Sequence, residues 1–297
     1  MTAATARPVP TSRPSARTLG EPIEIRGPSG DWGRVRADLD RHGAAVLFAH
    51  QDTWRPERAG LPRLRVLLGR DWERYLELTH PQVRGRFAAS RVLLRFAAAA
   101  ALGVRPESVE IGYGLSGRPQ LRGYDGVHVS LSHTDGLLLV GLATGGAIGV
   151  DAEPGTRTLY GPGLGRHVCT PYELARIEAL PPAERNPAVL RLWTLKEAYS
   201  KARGLGLRFR FTDFGFTPDR APEDVLRPDG TPASMGRWLL RTSSLGDRYT
   251  LAVAVEDAGF GRTADMAART ALDPAVVDAV LAALGEEERP AVAGDAW

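Results

Sequence analysis

The chain has 297 residues, 43% of them hydrophobic and 25% charged, with a formal net charge of +3 and a pI near 9.2. That balance belongs to a globular protein with room for substantial cores and suits an anionic ligand, but no Lys/Arg-rich block with interleaved aromatics marks a nucleic-acid tract. The single cysteine, Cys169, excludes an internal disulfide and a thiolate zinc cluster and fits a cytoplasmic location, and the longest apolar run, Phe96–Val104, is too short to span a bilayer.

Residues 1–30 read as a disordered tail. Met1–Gly20 is rich in Ala, Arg, Ser, Thr and Pro, and Pro8, Pro10 and Pro14 break the amphipathic helix a transit peptide would need. From Asp31, Val35 and Leu39 suggest a helix leading into a buried strand, Ala44–Ala49. Leu64, Leu67, Leu68, Trp72 and Leu76 keep a 3.6-residue period that predicts one helix over Leu61–Leu78, stopped by His80-Pro81. A strongly apolar helix over Arg84–Leu102 ends at Gly103, and strands follow at Val127–Leu131, Leu137–Leu142 and Ala147–Val150. The second half repeats the order: a helix near Pro171–Leu180, a long helix Ala188–Arg203 closed by Gly204, a strand near Phe209–Phe216, and a hairpin of Trp238–Thr242 with Tyr249–Val255. The expected fold is α+β, two pseudo-equivalent halves (31–147 and 148–260), with an extension over 261–297 that holds one helix after Asp273-Pro274.

Two stretches carry chemistry. In Gly149-Val150-Asp151-Ala152-Glu153, an extended chain puts Asp151 and Glu153 on one face. Two adjacent carboxylates with no His or Cys nearby suit Mg²⁺ or Mn²⁺, although such a pair is also common at solvated strand ends. In Trp193-Thr194-Leu195-Lys196-Glu197-Ala198-Tyr199-Ser200-Lys201, Lys196 and Lys201 are the only lysines of a chain that otherwise uses arginine. A compact ammonium is wanted where Arg's planar fork cannot serve, which points to phosphate; the plainer alternative is an i, i+4 surface pair of Glu197 with Lys201. Glu197 adds a third carboxylate, and Lys196, about 100° round the helix, would grip a phosphate chain from the other side. Three carboxylates around a hard cation plus two lysines match pyrophosphate chemistry.

The two stretches together closely resemble the paired signature of the 4′-phosphopantetheinyl transferases, most of all the surfactin-synthetase-activating type, a pseudo-twofold monomer of two α/β halves. The resemblance covers roughly Ala44 to Val255. It implies Mg²⁺-dependent transfer of the phosphopantetheine arm of coenzyme A to a serine of an acyl or peptidyl carrier protein, in fatty-acid, polyketide or nonribosomal peptide synthesis, releasing adenosine 3′,5′-bisphosphate. Neither nucleic acid nor membrane is then a partner. Carried over, Asp151, Glu153 and Glu197 match the metal ligands, with Glu197 also a candidate base, directly or through water. Lys196 and Lys201 match the pyrophosphate pair, Ser132 and His133 the 3′-phosphate site, and Arg86 a nucleotide contact. Gly117-Arg118-Pro119 matches an adenine-side Gly-Lys-Pro loop with Arg in place of Lys; Ala152 stands where a branched residue or glutamine is common, and the segment around Glu173 matches only loosely. Two rival readings are a metal-dependent phosphodiesterase or nuclease and a non-catalytic carrier-binding scaffold.

Overall fold

The structure is a computed structural model describing residues 18–56, 60–114, 116–144, 146–161, 164–204, 210–234 and 237–256. The helix expected after Asp273 lies outside these residues. The fold is mixed α+β, as expected.

Its first sheet has the order β1-β2-β6-β5, from β1 (Ile23–Glu24), β2 (Ala44–His50), β5 (His128–Thr134) and β6 (Leu137–Ala143). A second sheet has the order β7-β9-β8, from β7 (Ile148–Pro154), β8 (Trp238–Leu245) and β9 (Tyr249–Glu256), and β3 (Ile111–Tyr113) with β4 (Pro119–Leu121) makes a separate ribbon. Two 22-residue helices, α4 (Pro81–Leu102) and α7 (Pro182–Arg203), each start on a proline and end in a left-handed glycine, Gly103 and Gly204. Shorter helices are α1 (Trp32–His42), α2 (Leu61–Leu68), α3 (Trp72–Glu77), α5 (Leu164–Val168) and α6 (Pro171–Glu178).

Strand β2 shows how the layers form. Its side chains alternate, as in any strand, but both faces are buried. Ala45, Leu47 and Ala49 join α1, α2 and α4 in one core, whereas Ala44, Val46 and Phe48 pack with Val150, Leu251 and Val253 of the second sheet. On that sheet's far face, Ala252 and Ala254 pack with α7 residues such as Leu195 and Ala198. The order is therefore helices, sheet, sheet, helices. The strand order β2-β6-β5 recurs as β7-β9-β8, and each set has its 22-residue helix after the first strand.

Several expectations need correction. The tail expected over 1–30 ends sooner, because Ile23 and Ile25 are buried and β1 pairs parallel with β2. The helix expected over 61–78 breaks at Gly69, whose φ of 55° and ψ of −119° are not helical, and a 3₁₀ turn joins α2 to α3. The long helices begin earlier, at Pro81 and Pro182, where a missing N–H costs nothing. No strand spans the described part of 209–216; Gly215 makes only an isolated bridge with Leu226. The hairpin between β5 and β6 turns on Asp135 and Gly136, whose φ values of 36° and 77° suit a two-residue loop of Asp-Gly type.

Candidate active site

Strand β7 and helix α7 build the site by close approach. Ile148, Val150 and Ala152 face the first sheet, so Gly149, Asp151 and Glu153 face the other way. A Cβ on Gly149 would lie 1.9 Å from the Ala198 carbonyl oxygen and 2.5 Å from the Ala202 nitrogen, so the helix backbone rests directly on the strand. This brings Lys201 to Asp151: Nζ donates to Oδ1 at 2.6 Å and to the Val150 carbonyl at 3.3 Å. From β5, Ser132 Oγ donates to the same Asp151 oxygen at 2.8 Å, and Ser130 Oγ accepts from the Val150 N–H at 3.1 Å. Two serines thus stitch the first sheet to the strand that carries the carboxylates.

Asp151 is buried, and its second oxygen, Oδ2, has no hydrogen-bond partner. Glu153 Oε1 accepts from Trp193 Nε1 at 2.9 Å and from the Arg157 guanidinium, which also lies 5.2 Å over the Trp193 ring. Asn186, near the start of α7, holds the Arg157 loop by accepting from Leu159 and Tyr160 N–H and donating to the Arg157 carbonyl. Burial pushes the half-buried Glu197 carboxyl above the usual carboxylate range, the charges of Asp151 and Glu153 push it further, and Lys201 opposes them.

A cleft of about 720 Å³ opens beside these groups, lined by Glu197, Lys201, Trp193, Phe211, Leu131 and the Gly117-Arg118-Pro119 turn. A smaller polar lobe of about 490 Å³ shares Gly117, Pro119, Leu131 and Lys201 and adds Ser132, His133, Asp151, Glu153, Arg157, Arg91 and Tyr113. Nine of the eleven residues marked by the sequence therefore meet in one two-lobed cleft. Arg86 lines neither lobe but acts on His133 at a distance. His133 is exposed as a residue, yet packing around its ring lowers its pKa first and the Arg86 charge lowers it further.

Lys196 is the clear correction. Its side chain is fully buried, and Nζ donates to Glu173 Oε2 (2.6 Å) and to the carbonyls of Val168 (2.8 Å), Phe211 (2.6 Å) and Phe214 (2.9 Å). Three N–H donors facing four acceptors leave none for a phosphate. Glu173 is structural too, closing a capping box with Thr170 at the start of α6 and accepting from the Phe216 N–H at 2.7 Å. Arg118 is also spoken for: it donates to the Ala202 carbonyl at 2.8 Å, where a cation meets the negative end of α7. Sequence reasoning missed Arg91, Tyr113 and Ser130, which nothing in their local pattern sets apart, and left Glu173 between a metal and a structural role, although the Thr-x-x-Glu capping pattern points to the second.

The three carboxylates expected to hold a metal all line the two-lobed cleft, but they are not drawn together as a preformed cluster. Among the described residues no group of three His, Cys, Asp or Glu side chains is arranged to hold a metal ion. Asp151 Oδ1 is engaged by Lys201 and Ser132, and Glu153 by Arg157 and Trp193, so the three carboxylates do not form a ready cluster. The donor chemistry nonetheless fits a hard divalent cation, being all oxygen, with an unbonded buried oxygen on Asp151.

Comparison with known proteins decides the family. Residues 147–254 match the model of the 4′-phosphopantetheinyl transferase superfamily. The 4′-phosphopantetheinyl transferase HetI of Nostoc sp. is 31% identical over 185 residues, 61% of this chain and 74% of that protein. The chain belongs to the 4′-phosphopantetheinyl transferase superfamily. A phosphopantetheinyl transferase of Thraustochytrium sp. is 32% identical over 68% of this chain and 75% of its own, and a 4′-phosphopantetheinyl transferase of Bacillus subtilis is 26% identical over 61% and 78%. The family match runs from β7 to β9, the half that supplies Asp151, Glu153, Glu197 and Lys201 to the cleft.

Proposed function

We propose that the protein transfers the phosphopantetheine arm of coenzyme A to a serine of an acyl or peptidyl carrier protein, with Mg²⁺ as the metal and adenosine 3′,5′-bisphosphate as the second product. The observation that carries this reading is the meeting of Glu197 and Lys201 with Asp151 where a charged lobe joins a larger, more apolar one. Phosphates suit the first lobe and an uncharged arm the second. The family supplies the reaction class.

In this reading the carrier serine oxygen forms a bond to the phosphorus that bears the pantetheine arm. The bond from that phosphorus to the bridging oxygen breaks, and adenosine 3′,5′-bisphosphate leaves with the electron pair. Glu197 takes the serine proton, directly or through water; its raised proton affinity makes it a better base than an ordinary surface glutamate. Lys201 offsets charge on the departing phosphate, and Ser132 and Lys201 together fix Asp151. Asp151, Glu153 and Glu197 would hold the divalent ion, which when bound would neutralise charge on the phosphate oxygens. The repeated strand order supports an internal duplication with halves meeting near residue 148, and a monomer would then contain the whole site.

The test is to incubate the full chain with an apo carrier domain, coenzyme A and Mg²⁺, and to weigh the carrier. A mass gain equal to phosphopantetheine on one serine is expected. No adduct on fatty-acid, polyketide or peptide carriers would overturn the reading, and cleavage of coenzyme A without an adduct would favour a phosphodiesterase.

A further inference from the structure

The buried Lys196–Glu173 pair lies outside the chemistry just described, yet it bonds to backbone at Val168, Thr170, Phe211, Phe214 and Phe216 behind one cleft wall. We propose that Lys196 is a positioning residue that fixes the Arg210–Phe214 turn, and with it the Phe211 ring, as one wall of the large lobe and never contacts phosphate. The inference rests on the transferase reading for the identity of the ligand, though not for the geometry.

The turn has no sheet or helix of its own to satisfy its carbonyls. Those of Phe211 and Phe214 point to Lys196 Nζ instead, at 2.6 and 2.9 Å. Arg210, Phe211 and Thr212 line the lobe, and the Phe211 ring packs edge-on against Trp193 at 5.4 Å, one helical turn before Glu197. A third carbonyl, Val168, ends the short helix that brings His167 to the same lobe. Glu173 completes the post, accepting from Thr170, Lys196 and Phe216. A planar guanidinium cannot converge on three carbonyls and a carboxylate from one point, which explains a lysine here in a chain that otherwise uses arginine. Phe211, set against Trp193, is the apolar surface of this wall between Arg210 and Thr212; on the transferase reading it meets the uncharged pantetheine arm, so displacing it should be felt by that arm more than by the nucleotide.

The chain has only two lysines, so amine acetylation followed by peptide mass spectrometry of the full wild-type protein reads each separately. Lys196, 0% exposed, should stay unmodified with or without adenosine 3′,5′-bisphosphate, whereas Lys201, 32% exposed, should react and be protected by the bisphosphate. Acetylation of Lys196 that the bisphosphate blocks would overturn the proposal. Failure to protect Lys201 would instead count against the transferase reading, so the two failures differ. A functional arm uses Lys196→Met with Glu173→Gln, which removes both charges at similar volume and avoids a lone buried ion. That variant should bind the bisphosphate within about twofold of wild type while KM for coenzyme A rises about tenfold and kcat changes little. Parallel loss of bisphosphate affinity and kcat, or a variant with wild-type KM, would overturn the positioning role; if the variant does not fold, the acetylation pattern decides alone.

Discussion

Asp151 presents one oxygen to Lys201 and Ser132 and leaves the other buried and unbonded, while Glu197 is pushed toward protonation by its burial and by the carboxylates beside it. Such an arrangement is tuned for something other than stability. Glu197→Gln should cut transfer about 10²–10⁴-fold, the usual weight of a positioned acid or base, measured as carrier mass gain per minute. The same variant tests the shifted pKa. A carboxyl whose folded-state pKa is raised favours folding below the ordinary glutamate value of about 4.3 and loses that contribution as pH rises through the folded value. Glutamine has no such loss, so thermal melts should show Glu197→Gln gaining on wild type as pH is raised from about 4 to about 8. A constant difference across that range would mean that Glu197 titrates as a free side chain. Spacing puts Asp151 with Glu153 and Glu197 with Lys201 on shared faces, and it was the resemblance to the family's paired signature that joined the two pairs into one candidate site. Lys196 was not legible, since a 100° turn round a helix leads equally well to a ligand or to a core. Its partner, Glu173, is 23 positions away, a separation no local pattern spans.

Between elements, the deciding feature is the contact of β7 with α7. Gly149 stands in the signature stretch for a physical reason, since any side chain there would collide with the Ala198 carbonyl. Gly149→Ala should force strand and helix apart, destabilising the fold by about 1–3 kcal/mol in urea titrations, as overpacking does. It should also weaken transfer by more than the unfolded fraction accounts for, because Asp151 and Lys201 are held together by that approach. Activity falling only in step with the unfolded fraction would show that the site tolerates the displacement. The helices and hairpins were readable from apolar period, prolines and turn residues. The Phe209–Phe216 run was misread because its spaced aromatics imitate a strand. In the folded chain Phe211, Phe214 and Phe216 serve an aromatic cluster with Tyr199, and the carbonyls go to an ammonium. Similarly, the apolar period through 61–78 is real, but Gly69 lets Arg95 approach to 2.9 Å of where a Cβ would stand, and the helix breaks there.

Across the whole molecule, the two sheets bury each other. Val46, Phe48, Leu139, Ile148, Val150, Leu251 and Val253 lose nearly all solvent contact between them. At about 1.5–3 kcal/mol for each large apolar side chain, this interface alone is worth about 10–20 kcal/mol, comparable with the entire stability of a domain, about 5–15 kcal/mol. Neither half can leave that face to water. Polar contacts cross the same boundary: Ser132 to Asp151, Ser130 to Val150, and Arg118 to the end of α7. Fragments 18–147 and 148–256 should therefore be unfolded or aggregated when produced separately, even though each contains a complete strand-helix-hairpin set. Produced together they should form a one-to-one complex that regains native circular dichroism and carrier modification. The second fragment holds all three carboxylates and both lysines, so it is the strict control. If it folded alone and transferred the arm at the wild-type rate, the first half would be no more than a passenger. If it folded but bound neither coenzyme A nor carrier, the first half would be needed for its Gly117–Pro119 turn and Ser132 alone. Only when both separate fragments fail and the mixture recovers does the shared core, with the site stitched across it, account for the protein as one machine.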